Sequence, residues 1–176
     1  MQGKAYSGAC AVAAALAAAA LAGASPAGAA DKLLGKFERW EAHRTGNGGD
    51  AVCFIATLPA KSEGKLAKRG EATLMIAHFP KRKAFGQVQV KAGFALKKGA
   101  PFELAIGTKS FKLSAEGDSG YGDTAKENAE IVAALKAGKT AAATGIPAAG
   151  PKIVDTYSLD GFSKALAAID KECGRK

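Results

Sequence analysis

Short segments in which apolar and polar residues alternate, separated by turn residues, run through residues 37–114 and constrain the fold most strongly. Around Val88 and Val90, for example, the intervening residues are glutamine and lysine. A period of two residues places successive side chains on opposite faces of a β-strand. Glycine, asparagine and proline between the segments favour tight turns and therefore hairpins. We predict a mainly β, antiparallel sandwich with strands at 37–44, 51–58, 71–79, 86–94, 102–107 and 110–114. Two more extended segments are predicted later in the chain, at 140–144 and 153–158.

Residues 1–30 differ in composition from the rest of the chain. They contain one charge, Lys4, no acidic residue, and an apolar run over 9–22. A positive start, a hydrophobic run and small residues before the cleavage point are typical of a secretory signal peptide. We predict cleavage at Ala30 or one residue earlier, which leaves one domain over 31–176. The alternative is a membrane anchor, which needs a longer and more strongly apolar run.

The predicted mature chain is strongly basic. All 16 acidic residues lie after residue 30, where 24 of the 25 basic residues also lie, so its net charge is +8. A basic protein outside the cytoplasm attracts anionic lipid head groups, lipopolysaccharide phosphates or polyanionic glycans. The alternative is that the charge serves only solubility.

Two helices are predicted in the C-terminal half, at about 124–137 and 159–172. Thr124 and Glu127 match a capping box at the start of the first helix. Ser158 is a candidate N-cap for the second helix. Each helix then has one apolar face. The two faces comprise Asn128, Ile131, Val132 and Leu135, and Phe162, Ala165, Leu166, Ile169 and Cys173.

Two cysteines remain after removal of the leader, which also contains Cys10. Cys53 lies in the most hydrophobic predicted strand, and Cys173 lies on the apolar face of the second helix. In an oxidising compartment such a pair forms a disulfide by default. We therefore predict that Cys53 and Cys173 are bonded and that the helix folds back over the sheet; two buried free thiols are the alternative.

Motifs that resemble catalytic or metal sites lack the required context. Gly138-Lys139-Thr140 follows a helix, whereas a phosphate-binding loop follows a strand and opens a helix. Ser62 and Lys65 match Ser-x-x-Lys, but they lie in a polar loop and no Lys-Thr-Gly motif accompanies them. The only histidines, His43 and His78, have no ligand-like spacing. The sequence predicts no enzyme, no cofactor and no metal site.

The densest positive region is a candidate anion-binding patch on loops and one sheet face. Nucleic acid is a weaker candidate partner, because the nearby aromatic residues occupy inward positions. The predicted patch comprises Lys81, Arg82, Lys83, Lys91, Lys97, Lys98, Lys109 and Lys112.

Trp40 is the single tryptophan and has two interpretations. It lies in the first predicted strand, between Arg39 and Glu41. An exposed indole would provide a platform on which a ligand stacks. A buried one would fill the core, which is the commoner role of such a residue.

Several features of the chain occur in a recognisable order. A first strand contains Trp40, the second contains a cysteine, residues 155–162 read Asp-Thr-Tyr-Ser-Leu-Asp-Gly-Phe, and an alanine-rich helix precedes Cys173. This order resembles the invasion-associated locus B family of Gram-negative, mostly alphaproteobacterial, envelope proteins, over residues 36–173. The resemblance implies an immunoglobulin-like sandwich with appended helices, a periplasmic or outer-surface location and, in pathogens, a role in host-cell invasion. It implies no catalytic residues.

Together these observations predict a non-enzymatic periplasmic, surface-associated or secreted binding protein. Its basic face would contact an anionic envelope or host-surface component. The alternative is a structural or chaperone-like envelope subunit that binds a protein partner through an exposed strand edge. After removal of the leader, neither would be transmembrane.

Overall fold

Residues 31–174 are described by the structure, a computed structural model. The predicted signal peptide, residues 1–30, lies outside the described residues. Within the described range the chain forms eleven strands and two α-helices, which confirms the mainly β fold with two appended helices. None of the helices in this range is long and apolar enough to span a membrane.

The strands are short and the helices lie late in the chain, as the sequence indicates. In chain order the elements are β1 (Lys32–Phe37), β2 (Trp40–Thr45), β3 (Val52–Thr57), β4 (Lys61–Glu63), β5 (Thr73–Phe79), β6 (Ala84–Lys91), β7 (Phe102–Ile106), β8 (Lys109–Glu116), β9 (Ser119–Tyr121), α1 (Ala125–Ala137), β10 (Thr140–Gly145), β11 (Ile153–Ser158) and α2 (Phe162–Glu172).

All strand pairs are antiparallel, and they form one continuous ladder in the order β1-β2-β3-β5-β6-β9-β8-β7-β10-β11-β4. Strand β8 divides this ladder, because residues 109–113 pair with β7 and residues 114–116 pair with β9. We call β1, β2, β3, β5, β6 and β9 the first sheet, and β7, β10, β11 and β4 the second sheet. Consecutive strands pair as predicted hairpins in several places, but β6 pairs with β9 rather than with β7.

The inner faces of the two sheets and the apolar faces of both helices form one hydrophobic core. Helix α2 packs on β1, β2 and β3, and α1 packs on β6. The predicted apolar stripes of both helices are buried, including Ile131 in α1 and Leu166 in α2. Burial of these stripes stabilises each short helix, which would be marginal in water by itself.

Trp40 belongs to the core. Its side chain is fully buried, its ring meets the Phe162 ring edge-to-face at 5.0 Å, and its Nε1 donates to the Ser158 carbonyl at 3.1 Å. The indole therefore joins β2 to the segment that enters α2. The structure therefore shows that Trp40 fills the core and is not an exposed platform for a ligand.

A disulfide joins Cys53 in β3 to Cys173 at the end of α2. Their Cα atoms are 6.1 Å apart, and the bond closes a loop with a sequence separation of 120. Both cysteines are buried, at 0% and 9% exposure. The bond thus attaches the last helix to the centre of the first sheet.

The first predicted strand, 37–44, is wrong in its extent, because these residues form the end of β1, a turn and most of β2. The turn depends on Glu38, whose φ of 53° lies in the left-handed region that non-glycine residues rarely adopt. Gly161 packs against this turn, and a side chain at position 161 would collide with the carbonyl of Phe37. A contact between positions so far apart in the chain leaves no local pattern.

Other differences concern short elements and one cap. Strands β4 and β9 were not predicted, since a three-residue strand is too short to show alternation. Helix α2 begins after Gly161, and the predicted N-cap Ser158 instead ends β11. The Ser158 hydroxyl accepts a hydrogen bond from the Asp160 N–H at 3.2 Å, which stabilises the connecting turn.

Replacement of both Cys53 and Cys173 by alanine is expected to lower the free energy of unfolding by about 5 kcal/mol, because the open chain regains its loop entropy. Urea unfolding of the oxidised protein and of the variant measures the difference. Reduced wild type is the control that separates the bond from the loss of the sulfur atoms. Equal unfolding midpoints in all three samples would contradict the structural importance of the bond.

Candidate anion-binding surfaces

The residues Lys81, Arg82 and Lys83 lie together at the turn between β5 and β6, and we call them the turn cluster. Lys81 Nζ forms an ion pair with Asp50 Oδ1 at 2.6 Å. The Arg82 guanidinium lies over the Phe79 ring, with its Cζ 4.1 Å from the ring centroid. Within the turn cluster, Asp50 therefore neutralises the charge of Lys81, whereas Arg82 contacts an aromatic ring.

Lys91 lies at the opposite end of β6. Lys91 is eight residues after Lys83 along this strand, a distance of about 25 Å. Lys91 Nζ is 4.0 Å from a carboxylate oxygen of Asp118. The structure therefore separates Lys91 from the turn cluster and places an acidic residue beside it.

Lys109 and Lys112 both belong to β8. Lys112 lies directly opposite Glu103 of β7, and Lys109 opposite Ile106. Lys109 begins the strand, next to the turn that follows β7. The eight predicted residues therefore lie at both ends of β6, on the loop between β6 and β7, and in β8. The structure does not bring them together as one patch.

Lys97 and Lys98 lie on the loop between β6 and β7, which pairs with the loop between β10 and β11. Lys97 N donates to the Ile146 carbonyl at 2.9 Å, and Ala148 N donates to the Ala95 carbonyl at 2.9 Å. These bonds hold the two loops side by side.

A third loop, between β4 and β5, completes this end of the molecule. Leu66 and Lys68 line a shallow depression of about 470 Å³ together with Phe94, Ala148 and Ala149. Gly64 of the same loop packs against the backbone of Lys152. The three loops thus bring five exposed lysines to one end, which we call the lysine cluster: Lys65, Lys68, Lys97, Lys98 and Lys152.

None of the five ammonium groups of the lysine cluster forms an ion pair with a carboxylate within residues 31–174. Lys97 and Lys98 belong to the patch predicted from the sequence, whereas Lys65, Lys68 and Lys152 do not. They lie on loops that are far apart in the chain, so only the pairing of the loops reveals that the charges converge.

Arg69 holds the loop between β4 and β5 in place. Its guanidinium forms an ion pair with the buried carboxylate of Asp155 in β11 and donates to the Ala92 carbonyl at 3.0 Å and 2.8 Å. It also lies 5.3 Å from the centre of the Phe94 ring. Ser62 donates to the same carboxylate at 2.6 Å. These contacts connect the two sheets below the lysine cluster and bind the hydroxyl of the Ser-x-x-Lys motif.

The pattern of the invasion associated locus B (IalB) protein family matches residues 40–170. The chain belongs to the IalB family. The resemblance drawn from the sequence is therefore confirmed, and members of this family are envelope-associated proteins.

A solved structure shares the fold of this IalB family member. It is the crystal structure of invasion associated protein B from Bartonella henselae, with 22% sequence identity and a TM-score of 0.54. The alignment covers 78% of this chain and 97% of the other. No curated protein sequence matches the chain.

His78 is fully buried in this IalB domain, and both of its ring nitrogens are occupied. The Gly86 N–H donates to Nδ1 at 2.9 Å, so the proton of the neutral ring lies on Nε2, which faces Asp170 Oδ1 at 2.8 Å. His78 also lies opposite Cys53 in the sheet. The imidazole therefore joins β5, β6 and α2 and has no free nitrogen for a reaction.

Replacement of His78 by leucine should lower the free energy of unfolding by about 1–3 kcal/mol, because the Gly86 N–H loses its buried acceptor. Denaturant unfolding measures the loss. The matched control is His43→Leu on the outer face of the first sheet, where we expect a change below about 1 kcal/mol. Equal losses in the two variants would show that His78 does not stabilise the fold through its buried hydrogen bonds.

Tyr157 is fully buried near the Arg69 and Asp155 pair, and its hydroxyl has no hydrogen-bond partner within the described part of the chain. Burial, followed by the charge of Asp155, raises the pKa of the Tyr157 hydroxyl well above its usual range. The hydroxyl thus stays neutral in the folded protein at pH values where an exposed tyrosine ionises.

Within residues 31–174, no three His, Cys, Asp or Glu side chains form a group that could hold a metal ion.

The raised pKa of Tyr157 predicts a loss of stability in alkali. Above the unfolded-state pKa of about 10, tyrosine ionises in the unfolded chain but not in the folded one, so the free energy of unfolding falls as pH rises. The Tyr157→Phe variant should lose less stability than wild type between about pH 8 and about pH 11. Tyr121→Phe, at an exposed site, is the control and should follow wild type; parallel curves for all three proteins would contradict the prediction.

The two edges of the ladder are β1 and β4. Charged side chains occur on both edges: Lys32 and Lys36 on β1, Lys61 and Glu63 on β4. Lys36 Nζ forms an ion pair with Glu41 Oε1 at 2.6 Å. This ion pair is the main cause of the lowered pKa of the Glu41 carboxyl, and the hydrogen bond with His43 lowers that pKa further. Lysines on an edge strand oppose pairing with a further strand.

Proposed function

We propose that this IalB family member is a non-enzymatic binding protein of the periplasm or outer surface, and that its lysine cluster binds an anionic component of the envelope or of a host surface. The proposal rests on the convergence of five exposed lysines, none of them paired with a carboxylate among residues 31–174, on three loops that backbone hydrogen bonds and Arg69 hold together.

The charge of the lysine cluster differs from the charge elsewhere on the molecule. Many other lysines form ion pairs with acidic residues, and each pair reduces the positive electrostatic potential around the lysine. These pairs are Lys32 with Glu172, Lys36 with Glu41, Lys61 with Glu63, Lys81 with Asp50 and Lys91 with Asp118. At the lysine cluster the positive charges add, and a lysine close to an anionic membrane surface contributes about 1 kcal/mol.

The fixed loops favour binding by reducing its entropic cost. A loop that is already held in its bound conformation loses less freedom when a partner arrives. Arg69, the bridge between Leu96 and Pro147, and the bonds of Lys97 and Ala148 hold the backbone of the loops before any partner binds.

The surroundings of the candidate catalytic residues support a binding role. His78 uses both ring nitrogens in structural hydrogen bonds, and Ser62 donates to the buried Asp155. A nucleophile needs an adjacent base that accepts its proton. The Ser62 proton is instead held by a carboxylate that Arg69 neutralises.

Replacement of Lys65, Lys68, Lys97, Lys98 and Lys152 by serine should weaken retention on isolated envelope fractions at low salt. The expected loss is about fivefold for each charge that contacts the anionic surface. Retention of wild type should fall as salt is raised, whereas the variant should show a much flatter salt dependence. Cosedimentation at low and high salt measures both effects.

The matched control is a second variant in which five other exposed lysines become serine, so that the net charge is the same. These are Lys109, Lys112, Lys126, Lys136 and Lys164. The control should bind envelope fractions nearly as well as wild type. If the two variants lose retention equally, only net charge matters, and the lysine cluster is not a site. Retention that salt does not affect would favour the strand-edge alternative.

A further inference from the structure

The outer face of the first sheet is more apolar than a solvent-facing sheet should be. Antiparallel strands with one face in water alternate between apolar and polar residues. Strands β3 and β5 are instead largely apolar on both faces, since their buried inner residues include Ile55 and Ile76. Their outward residues are Val52, Phe54, Ala56, Thr73, Met75, Ala77 and Phe79, of which only Thr73 is polar. Such a face indicates a surface that binds an apolar ligand.

A groove of about 320 Å³ runs along this face beside β5, β6 and β9. Met75, Ala77 and Phe79 of β5 provide apolar residues, and Ala84 and Val88 of β6 add to them. In the sheet, Ala77 is opposite Gln87, and Met75 is opposite Gln89, which in turn is opposite Tyr121 of β9. The side chains of Gln89 and Tyr121 hydrogen-bond at 3.2 Å. The groove therefore has an apolar side on β5 and neutral polar groups on β6 and β9.

One end of the groove carries a positive charge. Arg82 of the turn cluster lines the groove, and its guanidinium stacks on Phe79. No carboxylate within residues 31–174 forms an ion pair with Arg82, and the remaining residues that line the groove carry no charge. A guanidinium presents a planar set of N–H donors that matches a carboxylate or phosphate. The groove thus has an apolar body and one anion-binding end.

We propose that the groove binds a single-chain anionic amphiphile, with the alkyl chain along Met75, Ala77 and Phe79 and the carboxylate or phosphate head at Arg82. The charge pattern selects this occupant, because a neutral apolar ligand would leave Arg82 unused and a free phosphate would leave the apolar residues exposed. The site is separate from the lysine cluster, which lies at the other end of β5 and β6. It would give the protein a lipid ligand in addition to its anionic surface.

The test is calorimetric titration of the purified domain, residues 31–176, with dodecyl phosphate below its micelle concentration. Inorganic phosphate and a neutral dodecyl glycoside are titrated in parallel. Dodecyl phosphate should saturate one site per chain, the glycoside should bind roughly tenfold more weakly, and inorganic phosphate should give no saturable binding. Dodecanoate replaces the phosphate in a further titration and distinguishes the two head groups.

Two variants locate the ligand. Ala77→Phe fills the groove and should weaken binding of both dodecyl compounds at least tenfold; its control, Ala56→Phe, makes the same change on the same sheet face outside the groove. Arg82→Gln should weaken dodecyl phosphate roughly tenfold and leave the glycoside unchanged. Lys112→Gln, with the same change of charge, should alter neither. Circular dichroism checks that each variant is folded.

Several results would overturn the proposal. These are the absence of saturable dodecyl phosphate binding, equal effects of Ala77→Phe and Ala56→Phe, or an Arg82→Gln effect that Lys112→Gln reproduces. Sedimentation that shows a dimer in which the groove is blocked would assign the apolar face to a second copy instead. Envelope retention through the lysine cluster is measured separately and should be unchanged in Arg82→Gln, so failure of one site is distinguishable from failure of the other.

Discussion

The attachment of α2 to the first sheet is the interaction on which the rest of the structure depends. The disulfide between Cys53 and Cys173 closes most of the chain into one loop, and the Trp40 and Phe162 rings meet at the other end of the same helix. Between them, His78 connects β5 to Asp170 of α2. Because α2 closes the core over β1, β2 and β3, this face of the first sheet is covered and the opposite face remains open.

A second set of contacts positions the candidate sites. The Arg69 and Asp155 pair connects the loop after β4 to β11, and backbone hydrogen bonds connect the loops that contain Lys97 and Ala148. These contacts gather the lysine cluster at one end of the molecule. The turn cluster lies at the other end, where Arg82 stacks on Phe79 beside the groove. The two basic regions differ physically, since one is surrounded by loops and the other borders an apolar sheet face.

Local patterns predicted most of the elements and failed where distant contacts decide. Strands such as β6 and β7, and both helices, have clear periodicity or caps, so their positions agree with the sequence within a few residues. The hairpin of β1 and β2 was missed because its turn relies on Glu38 in a left-handed conformation against Gly161. Within the candidate site, Lys97 and Lys98 were found by charge density. Lys65, Lys68 and Lys152 were missed because they lie on two other loops, which meet the loop of Lys97 and Lys98 only in the folded chain.

The sequence by itself determined the alternation of the strands, the apolar faces of the helices, the family, and the number of cysteines available for a bond, because each of these depends on residues that are close in the chain or on their order. Only the tertiary structure decided which charges converge, which are neutralised by acids, and which apolar side chains of β3 and β5 remain on an open face. Those properties depend on loop pairing and on which side of the first sheet α2 covers. Both result from contacts between residues that are far apart in the sequence.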